Sequence, residues 1–107
     1  MKNLGNLMKQ ASQMQAKMGE MHAKLGESEV EGQAGAGLVT VTITGKFDLR
    51  KIQIDPALAK PEEIGVLEDL IVAAFADARI KAEALMQEEM EKITGGLGLP
   101  GGFKLPF

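Results

Sequence analysis

Apolar residues recur at Leu4, Leu7, Ala11, Met14, Met18, Met21 and Leu25, with spacings that alternate between three and four. That alternation is an a/d seam sustained for three heptads, and it predicts one long N-terminal helix. Gly26 stands where a C-terminal glycine would stop it. Roughly 22 residues at 1.5 Å each make a rod about 33 Å long. A folded domain of this size has a radius of gyration near ~13 Å, so the rod is expected to overhang its own domain. Its outer heptads would then bury their Leu and Met against a second copy, which places Met14 and Met18 at a homodimer interface.

From Ser28 the period becomes two. Val30, Gly32 and Ala34 alternate with Glu29, Glu31 and Gln33, and Gly35-Ala36-Gly37 turns the chain. Val39, Val41 and Ile43 alternate with Thr40, Thr42 and Thr44, the clearest strand in the sequence. Gly45-Lys46 fits a two-residue type II′ hairpin turn, which takes Gly first. In the third strand, Phe47 to Ile54, Phe47 and Leu49 are out of phase with Ile52 and Ile54. A β-bulge at Arg50-Lys51 would bring all four to one face. Asp55-Pro56 then ends the ladder.

A second helix is expected from Pro61, with Glu62 and Glu63 complementing its dipole and Gly95 closing it. Its apolar face, through Ala78, is rich enough to cover the sheet. The stretch from Arg79 to Lys92 is sparser and charged, and should project. Residues 95–107 form an apolar Gly/Pro-rich tail carrying Leu97, Leu99, Phe103, Leu105 and Phe107. Such a tail is too apolar for a solvated linker and is expected to pack on the dimer or to engage another protein. The 107 residues are read as a single α+β domain.

Composition removes most chemistry. Without Cys there is no thiolate nucleophile, disulfide or Cys-ligated metal. With His22 as the sole His, a zinc site would need three carboxylates beside it, and a triad would have only Ser12 and Ser28 to draw on. No catalytic residue, metal or cofactor is therefore expected. Gly96-Leu97-Gly98-Leu99-Pro100-Gly101 matches a dinucleotide fingerprint as text, but it follows a helix instead of a strand. The acid pairs Glu62-Glu63 and Glu88-Glu89 do not face one another on a helix and read as solvated surface. No signal-peptide apolar region follows Lys2, and the longest apolar run, residues 70–76, is far short of the roughly 20 residues that span a bilayer. A cytoplasmic protein without a membrane partner is expected.

The net charge is −3, and its distribution is informative. Residues 1–26 set Lys2, Lys9, Lys17 and Lys24 against Glu20 alone, whereas residues 62–107 are strongly acidic. In the heptad frame the four lysines flank the seam as a stripe, interleaved with Asn6, Gln10, Gln13 and Gln15. Those are side chains suited to phosphates and base edges. The stripe lacks the aromatic platforms of single-strand binders.

The opening Met1-Lys-Asn-Leu-Gly-Asn-Leu-Met-Lys-Gln10 is joined by Glu29-Val-Glu-Gly32, Ala34-Gly-Ala-Gly37, Gly45 and Ile52-Gln-Ile-Asp-Pro56. Leu67-Glu-Asp-Leu-Ile-Val-Ala-Ala74, Thr94-Gly-Gly-Leu-Gly-Leu-Pro100 and Gly102-Phe-Lys-Leu-Pro-Phe107 complete the order. Along nearly its whole length the chain resembles the YbaB/EbfC family of bacterial nucleoid-associated proteins. The resemblance implies an α-β-β-β-α protomer with long terminal helices and a three-stranded antiparallel sheet, paired through the sheet into a tweezer-like homodimer. Val39, Val41, Leu67, Ile71 and Phe75 would join Met14 and Met18 in that interface. It further implies that helical arms hold double-stranded DNA. Lys9, Lys17 and Lys24, with Gln10 and Gln13, would act on the first arm, and Arg79 and Lys81 on the second. The implied roles are nucleoid organisation and gene regulation. The competing reading is a protein-interaction module, docking a replication or recombination-repair protein through the Met-rich helix and the tail. Gly19 and His22 depart from the family's charged, Gln-rich first helix.

Overall fold

Both periodicities become the elements they announce. The computed structural model describes residues 2–96 and orders them as α1 (Lys2–Glu27), β1 (Glu29–Ala34), β2 (Val39–Thr44), β3 (Leu49–Ile54) and α2 (Ile64–Gly96). The strands form an antiparallel sheet in the order β1-β2-β3. The predicted tail lies outside the described residues beyond Gly96.

β2 is the spine of the core. Val39, Val41 and Ile43 are at most 1 % exposed and pack with Leu58, Ala74, Ala78 and Ala82. Leu67, Leu70, Ile71 and Phe75 close round them from α2, so the apolar face that the sequence assigns to this helix covers β1 and β2 of the sheet but not β3. The approach is close because of Gly32. A Cβ there would sit 2.2 Å from the Ala74 carbonyl oxygen and 2.3 Å from the Ala78 nitrogen. Glycine lets helix backbone lie directly on strand backbone.

The expected bulge is present. Thr42 pairs with Lys51 and Ile43 with Leu49, leaving Arg50 as the extra residue. Leu49, Ile52 and Ile54 thereby share a face with Ile43, Val41 and Val39. The strand itself begins at Leu49 instead of Phe47, because the hairpin loop is longer than expected. Thr44 N–H donates to Asp48 O (2.8 Å) and Phe47 N–H to Thr44 O (2.9 Å), and Phe47 takes the positive φ (70°). This is a three-residue loop with a left-handed third residue, not a type II′ turn led by Gly45. Gly45 serves close approach instead. Its N–H donates to Leu25 O at 2.9 Å, and a Cβ would stand 2.8 Å from Leu25 Cδ2. The sheet is thus pinned to the end of α1.

Both helices run slightly beyond their expected ends. α1 includes Gly26 and finishes at Glu27; Ser28 returns its N–H (2.9 Å) and hydroxyl (2.7 Å) to Lys24 O, supplying the stop assigned to Gly26. Pro61–Glu63 is a 3₁₀ turn, so α2 proper opens at Ile64, and it continues through Gly96. At the end of β3, Asp55 Oδ1 accepts from Ala57 N–H (2.8 Å) and Pro56 starts a second 3₁₀ turn that buries Leu58.

The shape is long: 72 × 24 × 16 Å, with a radius of gyration of 19.5 Å. A compact domain of 100 residues would have about 13 Å. The excess comes from the two helices. They leave the sheet as an antiparallel pair, joined by a second core of Met21, Leu25, Met90 and Ile93, with Met18, Leu85 and Met86 against it. The inner part of the heptad seam is therefore paired within one protomer, and it takes in Met18, which the sequence pattern had assigned to a second copy. The outer part has no such partner among the described residues: Leu4 and Leu7 on the seam, and Met8 beside them, are 56, 60 and 66 % exposed.

Candidate nucleic-acid interface

The lysine stripe of α1 divides according to its partners. Lys9, Gln10 and Gln13 are exposed on the projecting stretch, and Lys17 is exposed at the rim of the helix pair. Neither Lys9 nor Lys17 has an ion-pair partner among the described residues. A lysine in that state can neutralise a phosphate without first breaking a bond within the protein. Lys24 differs. Its Nζ donates to Glu89 Oε1 of α2 at 2.9 Å, and Lys92 Nζ donates to Glu89 Oε2, also at 2.9 Å. The two ammonium groups hold the Glu89 carboxyl below its ordinary range, Lys24 contributing most, and Glu89 raises Lys92 in turn.

Glu89 corrects the expectation of a solvated Glu88-Glu89 pair. Glu88 is exposed, but Glu89 is only 7 % exposed. Its burial depends on where α1 crosses α2, which helical spacing within α2 does not encode. Lys17, Glu20, Met21, Lys24, Glu89, Lys92 and Ile93 together line a shallow groove of about 190 Å³ between the helices.

The cations assigned to the second arm are occupied nearer the sheet. Arg79 Nε lies 3.6 Å from Glu83. Lys81 Nζ donates to Glu31 O of β1 at 2.8 Å and stands 3.3 Å from Asp77. Asp77 Oδ2 in turn accepts from Gln33 N–H at 3.0 Å, a bond that lowers its carboxyl with help from Lys81. Asp77 and Lys81 thus finish the outward-facing backbone of β1. Of the cationic residues on α2, it is Lys92, which sequence reasoning passed over, that joins the α1 lysines.

Among the residues assigned to a dimer interface, Val39 and Val41 are buried within the protomer, Met18 packs in the helix-pair core, and Met14 and Leu67 are half-buried. Ile71 and Phe75 open onto an apolar hollow of about 280 Å³, completed by Val41, Leu49, Ile52 and Val72. Leu49, Ile52, Ile54 and Val72 are 52, 39, 40 and 70 % exposed. α2 lies over β1 and β2, leaving the apolar side of β3 bare. The one-face pattern of β3 was legible in the sequence, but its lack of a cover was not.

Among the described residues no three His, Asp or Glu side chains gather as a metal-ion site, and no helix is long and apolar enough to cross a membrane.

Comparison with known proteins gives a consistent result. The profile of the YbaB/EbfC DNA-binding family matches residues 1–97. A nucleoid-associated protein of Granulibacter bethesdensis is 67 % identical over 107 residues, covering 100 % of both chains. One from Paramagnetospirillum magneticum is 65 % identical over the same length, again covering 100 % of both. Among solved structures, an uncharacterized protein of Helicobacter pylori shares the fold, with a TM-score of 0.72 at 21 % identity; the match covers 89 % of this chain and 97 % of that one.

Proposed function

The chain belongs to the YbaB/EbfC DNA-binding family, and from that premise we propose that it is a non-enzymatic nucleoid-associated protein that binds duplex DNA as a homodimer. Exposed Lys9, on the projecting part of α1, and exposed Lys17, at the rim of the helix pair, both without an ion-pair partner among the described residues, are the observation that carries this reading. They neutralise phosphates, while Gln10 and Gln13 lie within the same stretch to meet base edges or sugars. Lys24 belongs to the base of the arm, where Glu89 holds it. The bare apolar strip of β3 and the hollow beside it receive the second copy, which doubles the lysines and creates a pair of arms. The relatives' names support a place on the bacterial nucleoid, in the cytoplasm, with gene regulation as a consequence of DNA occupancy.

Titration of a fluorescent duplex between about 50 and 200 mM salt tests this. Four phosphate contacts per dimer, from Lys9 and Lys17, give a log–log slope of about −3.6, whereas six, with Lys24 included, give about −5.4. A Lys9→Glu/Lys17→Glu variant should remain dimeric by sedimentation and lose binding. Undiminished binding by that variant would overturn the assignment.

The exposed Leu4, Leu7 and Met8 favour a second reading, docking of a replication or recombination-repair protein through α1 and the C-terminal tail together. Truncation after Gly95 separates the two. DNA binding through α1 survives it, and a partner held by the tail does not.

A further inference from the structure

Every ion pair inside α2 links residues three or four apart, and only Lys24–Glu89 ties α2 to α1 among the described residues. The apolar contact around it is built largely from methionine: Met18, Met21, Met86 and Met90, with Leu25, Leu85 and Ile93. Methionine fills space adaptably and specifies register poorly. A buried, fully bonded polar group supplies the register that such a contact lacks. Glu89 has both oxygens committed at 2.9 Å, one to each helix, and is almost wholly covered. Beyond this crossing α1 continues with Leu4, Leu7 and Met8 exposed, so its direction is set at the crossing.

We propose that Glu89 is a positioning residue for DNA binding: by bridging Lys24 and Lys92 it fixes the angle at which α1 carries Lys9 and Lys17 to the phosphates. This rests on the reading of α1 as the DNA-binding arm. The lever is long. Lys9 lies 15 residues from Lys24, or about 22 Å along the helix, so a tilt of about 10° at the crossing moves Lys9 by about 4 Å. Successive phosphates on one strand are about 3.4 Å apart along the duplex axis. A small loss of angular definition therefore takes the arm out of register with its phosphates.

The proposal runs against simple charge. Glu89→Gln removes a negative charge beside the DNA-binding helix, and electrostatics alone would make it bind more tightly and with a steeper salt slope. A positioning role gives the opposite sign: about three- to tenfold weaker duplex binding and a shallower slope, with dimer and helix content unchanged. Because the chain has no Cys, single Cys residues at Ser12 and Glu62 can carry spin labels, with labelled chains diluted by unlabelled ones. The wild-type distance distribution should be narrow and that of Glu89→Gln broad. Lys24→Gln, which cuts only the link between helices, should broaden it as well and serves where Glu89→Gln fails to fold. Tighter binding by Glu89→Gln, or a distribution as narrow as wild type in the variants that fold, overturns the proposal. Wild-type failure to bind any duplex would instead overturn the DNA-binding reading, leaving the distance result to report on the crossing alone.

Discussion

Along β1 the outward-facing backbone is met by α2: Asp77 accepts from Gln33 N–H and Lys81 donates to Glu31 O. Along β3 the corresponding edge has no such cover among the described residues, and Leu49, Ile52 and Ile54 stand partly in water. An edge strand is a template for pairing with another chain unless it is capped or charged. A long exposed apolar patch marks an association site. One sheet thus has a closed edge and an open one. The difference follows from where α2 packs: Gly32 admits its backbone directly onto β1, and the helix rests on β1 and β2. The closed edge discourages sheet-to-sheet growth; the open one is where the proposed second copy belongs.

Substitution at the origin of that asymmetry should have the largest effect. Gly32→Val puts a branched side chain where even a Cβ meets the Ala74 carbonyl at 2.2 Å. α2 must lift from β1, and we expect a loss of about 3 kcal/mol or more in urea unfolding. A loss under about 1 kcal/mol would mean that the helix can ride higher over the sheet at little cost.

Ile52→Glu attacks the open edge instead. It leaves the buried core of the protomer untouched but would bury an unpaired carboxylate in the proposed interface. An effect of about 3 kcal/mol, or roughly 100-fold in dimer dissociation, is expected. Sedimentation across a concentration series reads it directly, with far-UV circular dichroism to show that the helices persist. Wild-type association in this variant would move the interface elsewhere.

The smallest effect is expected at the closed edge. Asp77→Asn replaces an ionised acceptor and should lower thermal stability slightly while admitting assemblies larger than those of the wild type. The carboxyls of Asp77 and Glu89 both titrate below their ordinary values in the folded protein. Their contributions are therefore complete above the unfolded carboxylate range, near pH 4, and fade as pH falls through the lower folded values. The urea midpoint should be flat from about pH 5 to 7 as far as these groups are concerned, and fall in more acid solution. Asp77→Asn should remove part of that fall, and a profile identical to wild type would show that the cap adds nothing.

The helix-pair core shows why one half of the candidate site was legible and the other was not. Spacing along α1 identified Met18, Met21 and Leu25 as a buried seam and Lys9 and Lys17 as its exposed flank, because a helix arranges its side chains by a local rule. Spacing within α2 assigned Glu89 to solvent, and spacing within α1 placed Lys24 in the cationic stripe. Glu89 is buried instead, bonded to Lys24, by an encounter between residues 65 positions apart. Gly45 illustrates the same limit on a smaller scale. Its place in a turn was evident, but the need for glycine came from Leu25 of another element.

What this chain determined by sequence alone was the order of its elements, the bulge in β3, the apolar face of α2 and the cationic flank of α1. Each rests on periodicity or local backbone chemistry within a few residues. Tertiary structure decided which seams find partners inside one protomer, which edge of the sheet is capped, and which charges are already spent on one another. Those outcomes depend on the angles at which α2 crosses the sheet and α1, and a crossing angle is a property of two packed surfaces together.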